Sequence, residues 1–547
     1  MHKLAVNMLE GIQQGLQRQT LDSCSKWAEH CRIMGTPFPG PWTFDHHPWL
    51  RAMHDADDPE CVGQKAAQLG YTEVGLNRTF FMIDIKKVST LYVLPTKTPD
   101  ASDFSASRFD AALEGSTYLR DMFTDVKNVG HKRSGPVNLY IRGSRSRAGL
   151  KSIPAGLIIF DELDEMIQEN IPLAQERQSG QIFQQIWYIS TPTVDGYGIN
   201  VLFLKSSQEE FFFKCPSCSR QTRLIFPECL VITSEDADDP KIKNSYLICK
   251  ECKQCLPHKA KQHWLKNGIW VPKYTNKMLR GFHINQLYSP TVDPYKLAIS
   301  YYRAQTNPAD EQEFYNSKLG LAHIAKDAKI TDQDILNCIC NYVNDIFEEG
   351  LITIGIDQGK WLHYIVQKWI QRELLVAPDI NMGSLGKILS IGKCLHFEEL
   401  ESLLNKYQPS MTVIDSQPER RKAYEFAQKY WGYVKLCYYG HSINGKQINE
   451  GKDDMEQCVT VDRTSWLDLS LGRIRNKTTQ LPINTPIEFR NHVKNLIRVP
   501  GKDKFNNPTS SYLNIGYDHY AHALNLSEIA LTLSAGIGQS LDMKSPR

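Results

Sequence analysis

Short apolar runs, too brief to be helices, recur along the first part of the chain: Thr90–Pro95 (TLYVLP), Val137–Arg142 (VNLYIR), Leu157–Phe160 (LIIF) and Ile186–Thr191 (IWYIST). Runs of this length read as buried strands, and the stretches between them read as helix or loop. The alternation predicts an α/β unit built on a parallel sheet, with its chemistry at the strand C-termini. A second series, Leu351–Ile356 (LITIGI), a further run near Tyr364–Ile370 and Met411–Ile414 (MTVI), predicts another β-rich domain. Asp518 then opens an amphipathic helix through ALNLSEIAL. At the other end, residues 1–40 read as a polar helical arm closed by the breaker cluster GTPFPGP.

Charged residues stand where these strands end. Leu157–Phe160 runs into Asp161-Glu162, which is either the Walker B pattern, whose first acid holds Mg²⁺ and whose second polarises the water that attacks a γ-phosphate, or a core strand ending in a solvated acidic turn. Upstream, Gly63-Gln-Lys65-Ala-Ala-Gln-Leu-Gly70-Tyr71-Thr72 reads either as a divergent phosphate loop or as an ordinary glycine-bearing helix start with a nearby lysine. Gly70 lets the backbone approach phosphate, Thr72 reaches Mg²⁺, and Lys65 swings in from the front because Tyr71 stands where lysine is expected. Just ahead, PWTFDHHPWL either stacks on an adenine or forms a packed leading loop. Ser190-Thr191-Pro192 ends the strand after Walker B, where small hydroxyl residues sense the γ-phosphate.

With its lysine shifted to the front of the loop, its Asp-Glu pair and its Ser/Thr-Pro segment, the chain resembles the large subunits of tailed-phage terminases of the lambda-like type. GFHINQLYSP (281–290) and FYNSKLGLA (314–322) extend the resemblance, which covers the chain from about Pro41 to Leu531. It implies an ATP-driven motor that moves double-stranded DNA into a procapsid, joined to an endonuclease that cuts concatemeric DNA. The partners it implies are the small terminase subunit, the portal protein, DNA and further copies in a ring.

Between Arg120 and Lys151 stand eight basic residues, Arg120, Lys127, Lys132, Arg133, Arg142, Arg145, Arg147 and Lys151, against Asp121 and Asp125. They serve phosphate-backbone tracking, a γ-phosphate arginine, or only a solvated basic face. Arg145 and Arg147, in the loop before Walker B, are the candidates for the γ-phosphate role. Next come two C-x-x-C knuckles, Cys215/Cys218 and Cys249/Cys252, a spacing that suits four thiolates around structural Zn²⁺ in a ribbon. Cys255 competes with Cys252, and the paired spacing favours Cys252.

In the second domain, Asp357 and Asp415 follow two strands and Asp518 opens a helix; singly, the first two also read as turn residues and the third as a helix cap. Acids so distributed are what an RNase H-like nuclease brings together to hold two divalent ions, Mg²⁺ or Mn²⁺. VDRTSWLDLSLGRIRN (461–476) resembles the region before the third acid of lambda-like terminases, with Trp466 where a lysine often stands.

The expected organisation is an arm (1–40), an ATPase core (41–210), a zinc-ribbon insertion (211–275), the end of the ATPase and a linker (276–345), and the nuclease domain (346–547). A length of 547 residues demands several domains. The net charge of +2 excludes no partner, and 14 cysteines point to metal binding or burial more than to disulfides. No stretch approaches eighteen apolar residues and the N-terminus lacks a signal-peptide core, so no membrane is expected and the place of action is the host cytoplasm. Two rival readings share some of these features. A transposase or integrase would use the acids and the zinc module without an ATPase, and a non-catalytic zinc-ribbon DNA-binding protein would use neither site.

Overall fold

The computed structural model describes residues 21–123, 126–151, 153–325, 327–371, 381, 383–440, 448–450, 457–502 and 508–542. The chain divides into two compact units after Ala325.

The first unit is built on parallel strands β1 (Glu60–Lys65), β2 (Thr90–Leu94), β3 (Val137–Gly143), β4 (Leu157–Asp161), β5 (Gln185–Ser190), β6 (Glu209–Lys214) and β7 (Leu279–Ile284). Their spatial order is β6-β7-β1-β5-β4-β2-β3. Every residue of β2, β4 and β5 is buried, and successive residues serve different cores. Leu157, Ile159, Trp187 and Ile189 pack on one face, and Ile158, Phe160, Ile186 and Tyr188 on the other. This two-sided burial is why these strands read as unbroken apolar runs.

The apolar pattern misses three strands, β1, β6 and β7. Glu60–Lys65 (ECVGQK) has polar ends, so Gly63 lies inside β1 and the phosphate loop begins only at Ala66. β7, in the stretch expected to finish the ATPase and link the domains, pairs with β1 from Leu279↔Glu60 to Ile284↔Lys65. The expected arm also differs. Among its described residues, helix α1 (Cys24–Cys31) buries Cys24, Trp27, Ala28 and Cys31 in the core. Trp27 Nε1 donates to buried Asp84 at 2.9 Å. A helix carrying few apolar residues reads as an exposed arm, but here those few are the ones that pack. Residues 1–20 lie outside the described residues.

The second unit has a mixed sheet of β8 (Leu351–Gln358), β9 (Leu362–Gln371), β10 (Ser384–Cys394), β11 (Met411–Asp415), β12 (Val434–Tyr439) and β13 (Cys458–Val461), ordered β10-β9-β8-β11-β12-β13. β9 is antiparallel to both neighbours, while β8, β11, β12 and β13 run parallel, as an RNase H-like sheet requires. Packing in this unit starts ahead of residue 346: Ile330, Ile335 and Cys338 share a core with Leu467 and Leu471. The last helix, following Asp518 (His519–Asp542), crosses β8 at Gly355. A Cβ there would lie 2.0 Å from Ala523 O and 2.3 Å from Ser527 N, so only glycine lets the helix backbone sit on the strand.

Candidate nucleotide, zinc and nuclease sites

The parallel register brings three strand ends of the first unit together. Gln64 pairs with Ser190 and Asp161 with Ile189, so Lys65, Thr191 and Glu162 emerge side by side. Lys65 Nζ lies 3.2 Å from Glu162 Oε1 and donates to Thr191 Oγ1 at 3.2 Å. Gly70, at φ +85°, caps α2 (Tyr71–Phe81), and its left-handed backbone turns the loop into the helix. A Cβ there would also meet Leu50 at 2.6 Å. Thr72 stands in the first turn of α2, beside Asp161. Tyr71 is buried against Gly63, where a Cβ would meet its ring at 2.7 Å, and its hydroxyl has no hydrogen-bond partner. The residue at the usual lysine position is therefore a core side chain.

Asp161 is buried, and burial, then the neighbouring Glu162, push its carboxyl up to about 6 against the pull of Lys65. Tyr92 donates to Asp161 Oδ2 at 2.8 Å, while Oδ1 has no partner. A buried carboxylate oxygen left open beside a phosphate-type loop fits a cation. Glu162 adopts a left-handed backbone, φ +62°, that aims its side chain at Lys65.

Asp164 ties this site to the strand after it. Its buried carboxylate accepts from Thr193 N and Ile199 N, both at 2.7 Å, and its own N–H donates to Ser190 Oγ at 3.1 Å. The FYNSKLGLA segment forms the floor. Ala67 N donates to Ser317 O at 2.8 Å, Gln64 Nε2 donates to Gly320 O at 2.9 Å, and Asn316 bonds the carbonyls of Pro192 and Thr193. Gly320, at φ +66°, touches the loop backbone so closely that a Cβ would lie 2.5 Å from Ala66 N.

The basic stretch is of mixed character. Arg145 and Arg147 are exposed in the turn after β3. Lys132 is buried on Asp110 at 2.8 Å and Arg142 is bound to the carbonyls of Gly130 and Ile141, so neither is free to track phosphates. The side chain of Lys127 lies outside the described residues. In PWTFDHHPWL, Trp42, Phe44 and Trp49 are buried, and Trp49 Nε1 donates to Leu69 O at 3.1 Å. Trp49 thereby braces the phosphate loop, while Trp42 and Phe44 pack on each other and on His54.

Cys215, Cys218, Cys249 and Cys252 each offer sulfur, and the four atoms lie within 4.8 Å of one another. The two knuckles share one turn: Ser219 N donates to Cys215 O and Lys253 N to Cys249 O, with φ +60° at Ser219 and +61° at Lys253. This is a donor set for tetrahedral Zn²⁺. Cys255 is exposed and outside the group.

In the second unit, Ile356 pairs with Ile414, which sets Asp357 and Asp415 beside each other at the ends of adjacent parallel strands. Burial, then Asp357, pushes Asp415 up to about 6, and burial also raises Asp357. Asp518 reaches the same edge because its helix is seated on Gly355. Burial opposes its ionisation, yet His522, 3.3 Å away, and Arg463, 4.0 Å away, hold it below the usual carboxylate range. Asn514 Nδ2 also donates to Asp518 Oδ2 at 3.0 Å. Asp357 lies within electrostatic reach of both other acids, but the three do not close on a point: among the described residues, only the cysteines put three or more such atoms within 4.8 Å. Buried Asp357, half-buried Asp415 and Asp518 make an acidic cradle that fits divalent cations. Trp466 is 1% exposed and so is a core residue; Arg463, one turn earlier, carries the positive charge towards Asp518.

From sequence, Asp164 stands only as a fallback for Glu162, and several other residues of both sites carry no assigned role. Asp164 lies inside the same acidic turn, DELDE, and Asn316 and Gly320 inside a segment quoted for its resemblance. His519, whose Nδ1 is 2.8 Å from Asp357 Oδ2, and His522 flank the third acid in D-H-x-x-H. The repeated histidine next to an acid was the available signal.

Two family models match the chain: the phage terminase large subunit gpA ATPase domain over residues 36–270, and the terminase large subunit gpA endonuclease domain over residues 279–503. The second begins at β7, inside the first compact unit. Among solved structures, the chain is similar to the large terminase of bacteriophage HK97, at 12% identity and a TM-score of 0.46, over 94% of this chain and 99% of that one. The ATPase domain of the Thermus phage P74-26 large terminase matches at 13% identity and a TM-score of 0.32, over 51% and 94%. The large terminase nuclease of thermophilic phage G20c matches at 13% identity and a TM-score of 0.23, over 36% and 94%. No curated protein sequence matches. An ATPase family is foreign to the transposase reading, and two enzyme families are foreign to a purely binding role. An ATPase and an endonuclease of one protein family, consecutive along one chain, place this protein in the family of phage terminase large subunits of the gpA type.

Proposed function

We propose that Lys65, Gly70 and Thr72 hold the phosphates of ATP, that Asp161 with Thr72 holds Mg²⁺, and that Glu162 orients the hydrolytic water. The protein is a packaging ATPase and endonuclease. The observation that carries the residue assignment is the meeting of Lys65, Glu162 and Thr191 at three strand ends beside the α2 N-terminus. Mg²⁺ would offset charge developing on the transferred phosphoryl group. Glu162 would take up the water's proton from its position opposite Lys65, and Thr191 and Ser190, bonded to Lys65 and to Asp164 N, would pass phosphate loss to the floor segment. Arg145 and Arg147 are the exposed candidates for contact with the γ-phosphate or DNA. Asp357, Asp415 and Asp518 would hold Mg²⁺ or Mn²⁺, which activates water and offsets charge on the leaving oxygen. Double-stranded DNA, the small subunit, the portal and other copies in a ring are the partners this function calls for, in the host cytoplasm. Among the described residues, no helix is long and apolar enough to cross a membrane.

Lys65→Ala should weaken ATP binding roughly tenfold to a hundredfold, the value of a charge-assisted hydrogen bond in a semi-buried site, and stop DNA translocation. Tyr71→Phe should leave both within about twofold, because it removes a hydroxyl that bonds nothing. Nucleotide titration and DNA-stimulated phosphate release on the two variants test this. Full activity in Lys65→Ala would hand the phosphate role to another lysine.

Zn²⁺ at the four cysteines would be structural. Cys218→Ser should release one Zn²⁺ per chain and loosen residues 211–257, since thiolate binding and local folding are one equilibrium. Metal analysis of protein purified under reducing conditions, with hydrogen exchange over those residues, checks it. Protein that is zinc-free and fully protected there would end the assignment.

A further inference from the structure

In the second unit a series of rings starts at one of the three aspartates and ends in solvent. His519, bonded to Asp357, has His363 against it with centroids 4.6 Å apart and planes 10° apart. Tyr517 lies 6.0 Å from His519 at 23°. Exposure rises along the series: His363 is 3% exposed and Tyr517 is 75% exposed. An aromatic side chain so open usually sits on a pliant loop, yet this loop is pinned. Asn495 Nδ2 donates to Tyr517 O at 2.8 Å, Ile515 N donates to Asn495 O at 3.0 Å, and Gly516 N donates to Asn514 Oδ1 at 2.8 Å. Gly516 is needed for this fit, since a Cβ there would come 2.6 Å from Asn495 Nδ2. The turn after Asp357 closes the same rim. A Cβ on Gly359 would meet His519 at 2.7 Å, and the next two residues, Lys360 and Trp361, are both exposed. Lys393 sits over the Trp361 ring at 5.7 Å.

We propose that Tyr517 is a stacking platform for an unpaired nucleobase of the strand being cut. This rests on the nuclease reading, because the base is the one whose backbone runs past Asp357, Asp415 and Asp518. An exposed ring on a pinned backbone, one residue from a proposed metal-holding acid, is set to receive a flat π-surface there. Every nucleobase has such a surface, and stacking on aromatics needs no particular sequence. A base inside an intact duplex has both faces covered, so the acceptor is a frayed, bulged or displaced base. Lys360, on the same rim, supplies positive charge for the adjoining phosphate.

The test uses the full-length protein and compares two DNAs in Mg²⁺ or Mn²⁺, a fully paired duplex and the same duplex with a short run of unpaired bases. Tyr517→Ala should raise KM for the unpaired substrate roughly fivefold to a hundredfold, with kcat little changed and ATP hydrolysis untouched. Tyr517→Phe, which keeps the ring, should stay within about twofold of the wild type, and Tyr517→Leu, which keeps apolar bulk without a π-face, should behave like the alanine variant. A 2-aminopurine placed among the unpaired bases should be quenched by the wild type and by Tyr517→Phe only. Wild-type KM and quenching in Tyr517→Ala, or rescue by leucine as good as by phenylalanine, would overturn the platform while leaving the nuclease reading intact. A wild-type protein that cuts neither DNA in either metal would overturn both.

Discussion

Glu162→Gln is expected to bind ATP and to hydrolyse it roughly a hundredfold to ten-thousandfold more slowly, the range for loss of a positioned general base. Glutamine fills the same space on the same left-handed backbone, so the loop should keep its shape; what goes is the charge opposite Lys65. Removing that charge frees Lys65 for phosphate, so nucleotide affinity should hold or improve. DNA cutting, which uses the second unit, should survive. The measurement is phosphate release beside nucleotide binding on one preparation. Hydrolysis near the wild-type rate would remove Glu162 from the role, and the next carboxylate to examine would be exposed Glu165. Asp164 is a poor substitute, because two backbone donors hold its carboxylate in place and burial pushes it up to about 7.

Asp415→Ala is expected to abolish DNA cleavage, a loss of several orders of magnitude, with ATP hydrolysis largely intact. Its carboxylate faces Asp357, and the nearest acid along the chain, Glu419, is engaged with Lys422 at 2.9 Å. The substitution should not unfold the domain. A carboxyl raised from 3.8 to about 6 binds its proton more tightly in the folded state, so the stability it contributes is present below about pH 4 and lost as pH rises through 6. At neutral pH the charged residue is therefore a cost, and the alanine variant should melt no lower than the wild type in metal-free buffer. Mg²⁺ or Mn²⁺ should raise the melting temperature of the wild type more than that of the variant. Plasmid cleavage, ATP hydrolysis and melting with and without metal check the three statements together. Normal cutting by Asp415→Ala would sink the assignment of Asp357, Asp415 and Asp518 to one site.

The parts of this molecule that were legible in sequence are those whose signal is local. Leu157–Phe160 announces its strand because both faces are buried, and the acids at 161 and 162 follow with no long-range information. The two C-x-x-C pairs carry their geometry in their own turns. β1 was hidden because its ends are polar and its apolar centre is only Cys61-Val62, so its identity rests on β5 and β7 pairing on either side. The burial of α1 was hidden for a similar reason, since nothing in residues 24–31 indicates that Trp27 meets Asp84. The tie between Asp164 and Ser190, and that between His519 and Asp357, join residues far apart in sequence, and no periodicity records them. Gly355 is the clearest instance. In LITIGI it looks like a blemish in a strand, and only the helix lying on it explains why no larger residue serves.

The contact of Gly320 with the phosphate loop bears on how this enzyme can be cut into pieces. The ATPase family match stops at residue 270, and a fragment ended there would keep Lys65, Asp161 and Glu162. It would lose β7, and with it the neighbour that β1 has on one side, as well as the carbonyl that anchors Gln64. The loop's underside, closed by residues 316–320, would open to water. A fragment meant to turn over ATP by itself has to run to Ala325, where the first compact unit ends. Homology marks where the recognisable sequence stops, and the machine part extends some fifty residues past that mark, from residue 270 to residue 325.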